Sequence, residues 1–151
     1  MMRYLLVDRV TSWERGATMV GVKNVTMSED FLEFHFPRFP VMPGSMILEA
    51  LVQLTGWLEA ASSDFSRWFL LEQVKTVKYY GFALPGDQIE LRVEAAGEDE
   101  GLALYKGLAQ VEGERKVVVD FAGRMVDLKD YEDPAEQAHL FKILNREITL
   151  S

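Results

Sequence analysis

No cysteine occurs in the 151 residues, and there are only two histidines, His35 and His139. Disulfides, thiolate metal sites and cysteine nucleophiles are therefore excluded. A zinc centre built on several histidines lacks ligands. Positive charge is also short: 16 Lys and Arg face 24 Asp and Glu, a formal charge of −8. General nucleic-acid binding needs the opposite balance, so no such partner is expected. No apolar run approaches the ~20 residues that cross a bilayer, so membrane insertion is not expected. The opening Met1-Met2-Arg3-Tyr4-Leu5-Leu6-Val7-Asp8 is too short in apolar residues for a secretory leader and reads as a first strand. A cysteine-free chain suits a reducing compartment, and a cytoplasmic location is expected.

What is present is the composition of an ordinary globular domain, 48% apolar and 26% charged. The length fits one core. Strand-like alternation covers 3–10 and 17–27, joined around Glu14-Arg15-Gly16. The segment Phe31 to Pro43 holds Pro37, Pro40 and Pro43 and predicts a shaped loop, because proline lacks the N–H that a helix or central strand uses. A helix is expected over 44–62. Strands follow at 74–83, 88–96, 102–111 and 116–127, with turns at Pro85-Gly86-Asp87, Glu98-Asp99-Glu100-Gly101 and Glu112-Gly113-Glu114. Short turns between consecutive strands predict an antiparallel meander. Asp133-Pro134-Ala135-Glu136 opens a last helix to about Arg146, with Ala138, Phe141, Ile143, Leu144 and Ile148 placed to dock. His139 is expected on its surface. The sum is an α+β domain, one helix packed on an antiparallel sheet, over 1–129, with 130–151 as a C-terminal helical extension of the same domain.

The 44–62 helix carries the main chemical clue. Ile47, Leu51, Leu54, Leu58 and Ala61 form one stripe, and Leu48, Val52 and Trp57 fall outside it. A helix apolar over most of its circumference is enclosed, by a wrapping sheet or by a sheet plus a partner chain. Glu49 and Gln53 share the face opposite the stripe. A carboxyl buried there would hold its proton near neutral pH, the state a general acid needs. The alternative is a structural Glu49–Gln53 hydrogen bond or a glutamate that reaches solvent. His35, in Phe34-His35-Phe36-Pro37, has a water-poor setting that favours neutral imidazole, a base; a satisfied core histidine is the alternative. Between them, Met42-Pro43-Gly44-Ser45 starts the helix, and free N–H groups there can stabilise a thioester oxygen.

Together these residues resemble a known family. His35-Phe36-Pro37-x-x-Pro40-Val41-Met42-Pro43-Gly44, followed by Leu48-Glu49-Ala50-Leu51-x-Gln53, is similar to the 3-hydroxyacyl-[acyl-carrier-protein] dehydratases, FabZ type. Tyr4-Leu5-Leu6-Val7-Asp8-Arg9-Val10, Val22-Lys23-Asn24-Val25 and Leu84-Pro85-Gly86-Asp87-Gln88 extend the likeness over roughly residues 4–127. The resemblance implies a hot-dog fold, a long helix wrapped by an antiparallel sheet. It also implies a homodimer, or an oligomer of dimers, whose sites combine histidine from one chain with the acid from the other. His35 would remove the α-proton and Glu49 would protonate the leaving 3-hydroxyl. The Gly44 N–H would polarise the thioester carbonyl, the Val41 carbonyl would orient the imidazole, and Gln53 would support Glu49. No metal or redox cofactor is implied; the acyl chain arrives on the phosphopantetheine of an acyl carrier protein.

Phe34 and Arg38 stand where the family usually has glycine, and Ser45 where valine is common. Carrier proteins are acidic, so docking to a −8 chain requires a local basic patch, for which Arg38, Arg67, Lys75 and Lys78 are the candidates. Two rival functions remain: an acyl-thioester hydrolase of the same fold, and a non-catalytic acyl-chain binder or assembly subunit. Glu49, rather than aspartate, leans away from added double-bond isomerisation.

Overall fold

The computed structural model describes residues 5–29 and 40–147. Most of the expected 31–43 loop, with Phe34, His35 and Arg38, lies outside the described residues, as does Ile148. Two strands come first, β1 (Arg9–Glu14) and β2 (Thr18–Asn24), then helix α1 (Gly44–Ser62). Strands β3 (Arg67–Tyr79), β4 (Gln88–Asp99), β5 (Leu102–Val111) and β6 (Glu114–Asp127) follow. A 3-10 turn (Leu128–Asp130) leads to α2 (Pro134–Leu144). The strands form one six-stranded antiparallel sheet in the order β1-β2-β4-β5-β6-β3. With α1 lying against it, this is the hot-dog arrangement.

Alternation decides which face of each strand meets the helix. On β4 the buried residues are Ile89, Leu91 and Val93; on β6 they include Val117, Val119 and Phe121. Where α1 presses closest, the sheet offers almost no side chain. A Cβ added to Gly21 would lie 3.1 Å from Leu54 Cδ1, and one on Gly107 3.2 Å from Leu51 Cδ1. The Leu51/Leu54 ridge thus beds into a trough of glycine. Ile47, Leu51, Leu54, Trp57 and Leu58 are all fully buried. Burying side chains of this size contributes about 1.5–3 kcal/mol each.

Three expectations need correction. Only β4, β5 and β6 form a meander, because β3 pairs with β6 at the far edge and β2 takes the place beside β4. The β3–β4 connection is therefore a strap across the end of the sheet: Tyr80 N–H bonds Lys116 O, and Ala83 bridges to Met42. That departure also ends β3 at Tyr79 rather than 83, while its start extends back to Arg67 through pairing with Asp127. The first strand begins at Arg9, although the Asp8 N–H already donates to Val22 O of β2 at 2.8 Å. Helix α1 is enclosed as expected over its C-terminal half, where residues 53–61 are all buried. Nearer its N-terminus the enclosure is partial: Met46, Leu48 and Val52 are half-buried and Glu49 is exposed.

At the other end, Asp133 caps α2 by accepting the Ala135 N–H at 3.0 Å, with Pro134 opening the helix. Phe141 then inserts among aromatic rings, 5.8 Å from Trp13, 6.0 Å from Trp57 and 5.8 Å from Phe65 between centroids. Leu144 is buried and Ala138 half-buried as expected, but Ile143 is exposed and Leu140 packs in its stead. Helical spacing explains the exchange: Leu140 shares the Phe141/Leu144 face and Ile143 does not. His139 is exposed.

Candidate active site

Four of the expected site residues fall in or beside the first turns of α1. Val41 is fully buried, and the adjoining Met42 N–H donates to Ala83 O at 2.9 Å. Pro43 is the N-cap, its carbonyl accepting from Met46 and Ile47. Proline fits there because its fixed φ suits helix entry and its missing N–H costs nothing. Among the described residues no side chain caps this end, and the first turn holds no acid. The leading N–H groups and the positive end of the helix dipole therefore meet no carboxylate of their own first turn.

Gly44 is required here on steric grounds. A Cβ at this position would lie 2.5 Å from Cε1 and 2.7 Å from Cδ1 of Tyr79. The Tyr79 ring occupies the space a side chain would need, and it is itself 53% exposed.

Glu49 and Gln53 share a face as their spacing predicts. Gln53 is buried; its Oε1 accepts the Leu6 N–H at 3.0 Å, and its Nε2 points to Glu49 Oε1 at 3.4 Å. The Leu6 anchor was not legible in the sequence, since it joins residues 47 positions apart. Within the single chain Glu49 is exposed.

Of the basic residues proposed for carrier docking, Arg67, Lys75 and Lys78 are among the described residues, all on β3. Arg67 opens β3 and Lys78 stands near its other end. Arg67 grips Glu59 through Nε and Nη2, at 3.2 and 2.9 Å, and Lys75 pairs with Asp99 at 3.5 Å.

Glu59 is the ionisable group that sequence reasoning missed. It is buried, and Tyr105 donates to its other oxygen at 2.5 Å. Burial, reinforced by the hydrogen bond and the charge of Glu59, pushes the Tyr105 phenol well above its ordinary value. An acid in the apolar run Trp57-Leu58-Glu59-Ala60-Ala61 was the available signal. These groups floor a cleft of about 710 Å³ at the C-terminal end of α1, away from Gly44 and Glu49. They satisfy one another there, as an internal clasp does. Lys23 is a second missed group: it is buried in β2 and pairs with Glu29 at 2.5 Å and Asp8 at 3.6 Å.

A fold of this kind, with a helix N-terminus that no described side chain caps and a glutamate beside Gln53, has clear relatives. Residues 2–122 match the FabA-like domain. The 3-hydroxyacyl-[acyl-carrier-protein] dehydratase FabZ of Vibrio cholerae is 38% identical over 114 residues, 74% of each chain. FabZ of Thiobacillus denitrificans is 38% identical over 135 residues, 84% of this chain and 88% of its own. A Streptococcus mutans protein solved with acetyl CoA shares the fold at TM-score 0.64 and 14% identity, over 83% of this chain and 94% of that one. The chain belongs to the FabA-like family, and within it to the 3-hydroxyacyl-[acyl-carrier-protein] dehydratases. Among the described residues no helix is long and apolar enough to cross a membrane.

Proposed function

We infer that this chain dehydrates 3-hydroxyacyl-carrier-protein thioesters to trans-2-enoyl thioesters in fatty acid synthesis. The observation that carries the reading is Glu49, beside Gln53 and within two turns of a helix N-terminus that no described side chain caps, in a chain 38–40% identical to FabZ dehydratases. The hydrolase and binder readings are not favoured, because those relatives carry the dehydratase name.

In this mechanism His35 takes the C2 proton. The developing enolate is stabilised by the Gly44 N–H at the positive end of α1. Glu49 delivers a proton to the C3 hydroxyl, which leaves as water, since hydroxide is a poor leaving group. The electrons of the C2–H bond become the C2–C3 double bond, so atoms and charge balance without metal or redox cofactor. The Val41 carbonyl orients the imidazole and Gln53 holds Glu49. The substrate arrives on the phosphopantetheine of an acyl carrier protein, and Lys78 and Arg38 are retained as docking cations.

The working unit is a homodimer in the cytoplasm, or an oligomer built from such dimers. Two features support this: the half-buried Leu48/Val52 side of α1, and β3 as an edge strand whose residues 72–76 are exposed. A second copy there would bury Glu49 and bring it to the partner's histidine.

The test is a coupled pair of assays on carrier-linked thioesters. Enone absorbance should appear without free thiol. His35→Ala and Glu49→Gln should each lower turnover by roughly 10²–10⁴-fold, the usual contribution of a general acid or base, in a folded dimer. Thiol release in place of enone would sink the proposal.

A further inference from the structure

Helix α1 has one face that its own chain leaves partly open, and that face has an end. At about 100° per residue, Ser45, Leu48, Glu49, Val52 and Gly56 fall on one side of the helix. Ser45 and Glu49 are exposed and Leu48 and Val52 half-buried, whereas Gly56 is buried. The ring lying over Gly56 is that of Trp68, on β3. A Cβ on Gly56 would lie 2.2 Å from Cζ2 and 2.3 Å from Cε2 of this indole, which therefore rests on bare helix backbone. Glycine inside a helix is otherwise unfavourable, and here it makes room for the ring. Trp57, fully buried, meets the same indole edge-on, with 5.2 Å between centroids and 84° between planes. The Trp68 ring is thus held from two sides.

The proposed chemistry sets a direction along this face. With the thioester oxygen at the Gly44 N–H and the 3-hydroxyl at Glu49, C1 to C3 of the substrate run toward the C-terminal end of α1. The rest of the acyl chain continues over Val52 and meets Trp68 at Gly56. We propose that Trp68 is the end wall of the acyl channel and confines the enzyme to short and medium chains. The inference rests on the dehydratase reading and narrows its substrate class. Glu49 and Gly56 are separated by a helix rise of about 10.5 Å, which an extended alkyl chain spans with about eight carbons. Acyl groups of up to about eleven carbons therefore fit before the wall, and each methylene buried along Val52 adds to binding. A longer chain has to bend back or displace a packed ring. A second copy over this face would roof the channel and leave its end to Trp68 of the same chain. An apolar recess of about 180 Å³, lined by Trp68, Leu70, Val126 and Leu128 among others, adjoins the ring. Truncating the indole adds that space to the volume of the ring itself.

The experiment offers 3-hydroxybutanoyl, 3-hydroxyoctanoyl and 3-hydroxyhexadecanoyl groups, each on an acyl carrier protein. The enzymes are the full-length chain and its Trp68→Ala, Trp68→Leu and Val52→Phe variants. The readout is the ratio of kcat/KM between chain lengths, because a change in folding, assembly or carrier docking common to all substrates cancels in it. The parent should favour octanoyl over hexadecanoyl about thirtyfold, the scale of forcing extra methylenes into a closed space. Trp68→Ala should bring that ratio to within about threefold of unity, with Trp68→Leu between the two. Val52→Phe fills the channel short of the wall and should lower octanoyl against butanoyl about tenfold. A parent that turns over hexadecanoyl as readily as octanoyl overturns the proposal. So does an unchanged ratio in either Trp68 variant, or in Val52→Phe. If Trp68→Ala does not fold, Trp68→Leu and Val52→Phe decide by the same criteria. Absence of turnover at all three lengths would instead remove the dehydratase reading, an outcome distinct from turnover without a length limit.

Discussion

Gln53 holds Leu6 with one end of its amide and reaches Glu49 with the other. Its oxygen accepts the Leu6 N–H at 3.0 Å, and its nitrogen stands 3.4 Å from Glu49 Oε1. One buried side chain thus ties the segment before β1 to the residue proposed as the acid.

Replacing Gln53 by leucine should show both jobs at once. A buried Leu6 N–H without acceptor costs about 1–3 kcal/mol, measurable by urea denaturation. Turnover should fall about tenfold as Glu49 loses its brace, the scale of one hydrogen bond to a charged group. Gln53→Glu should retain the Leu6 bond yet place a second carboxylate beside Glu49. Equal turnover in parent and Gln53→Leu would refute the bracing role.

At the helix tip, Gly44→Ala should collide with the Tyr79 ring, since the new Cβ would lie 2.5 Å from Cε1. Overpacking of this kind costs roughly 1–3 kcal/mol, toward the lower end here because Tyr79 is half exposed and can swing. In a Tyr79→Ala background the same substitution should cost little. A double-mutant cycle read by thermal melting checks the coupling. Additive costs would mean the two residues do not share that space.

The Glu59 clasp makes a prediction about stability away from the reaction. Removing one partner of a buried charge pair is expensive, and Glu59→Ala should lose about 3 kcal/mol, less than for a fully sealed pair because Arg67 is part-exposed. Glu59→Gln should lose less. Chemical denaturation at neutral pH gives both values, and a larger loss in Glu59→Gln would contradict the clasp.

Tyr105 carries the pH dependence of that clasp. Its folded pKa is raised above the unfolded value of about 10, mainly by burial and then by Glu59. The native state therefore holds the phenolic proton more tightly than the unfolded chain. The corresponding stability is fully present below pH about 10 and is lost as pH rises beyond it. Stability measured between pH about 9 and about 11.5 should fall with a slope that Tyr105→Phe lacks. A slope unchanged in the variant would show that another group is responsible.

Phe141→Ala should destabilise by about 3–5 kcal/mol, because its ring packs among Trp13, Trp57 and Phe65. Such a loss, read from the unfolding midpoint, would make α2 part of the core. A loss under about 1 kcal/mol, typical of surface sites, would make it an appendage.

Residue order alone determined a good deal. The bounds of α1 followed from its apolar periodicity and the Pro43-Gly44 start, and the α2 cap from Asp133-Pro134. Strands β4 to β6 were legible because local turns join them, and local rules govern pairs that are neighbours in the chain. The pairing of Glu49 with Gln53 was equally local, one helical turn apart. Tertiary structure decided whatever joined distant segments. It placed β3 beside β6, hung the strap on Met42, gave the Leu6 N–H to Gln53, and paired Arg67 with Glu59. It also left Glu49 exposed in the single chain while burying residues 53–61 of the same helix. Periodicity records which side of an element is apolar, whereas the identity of the surface that meets it depends on how the whole chain closes.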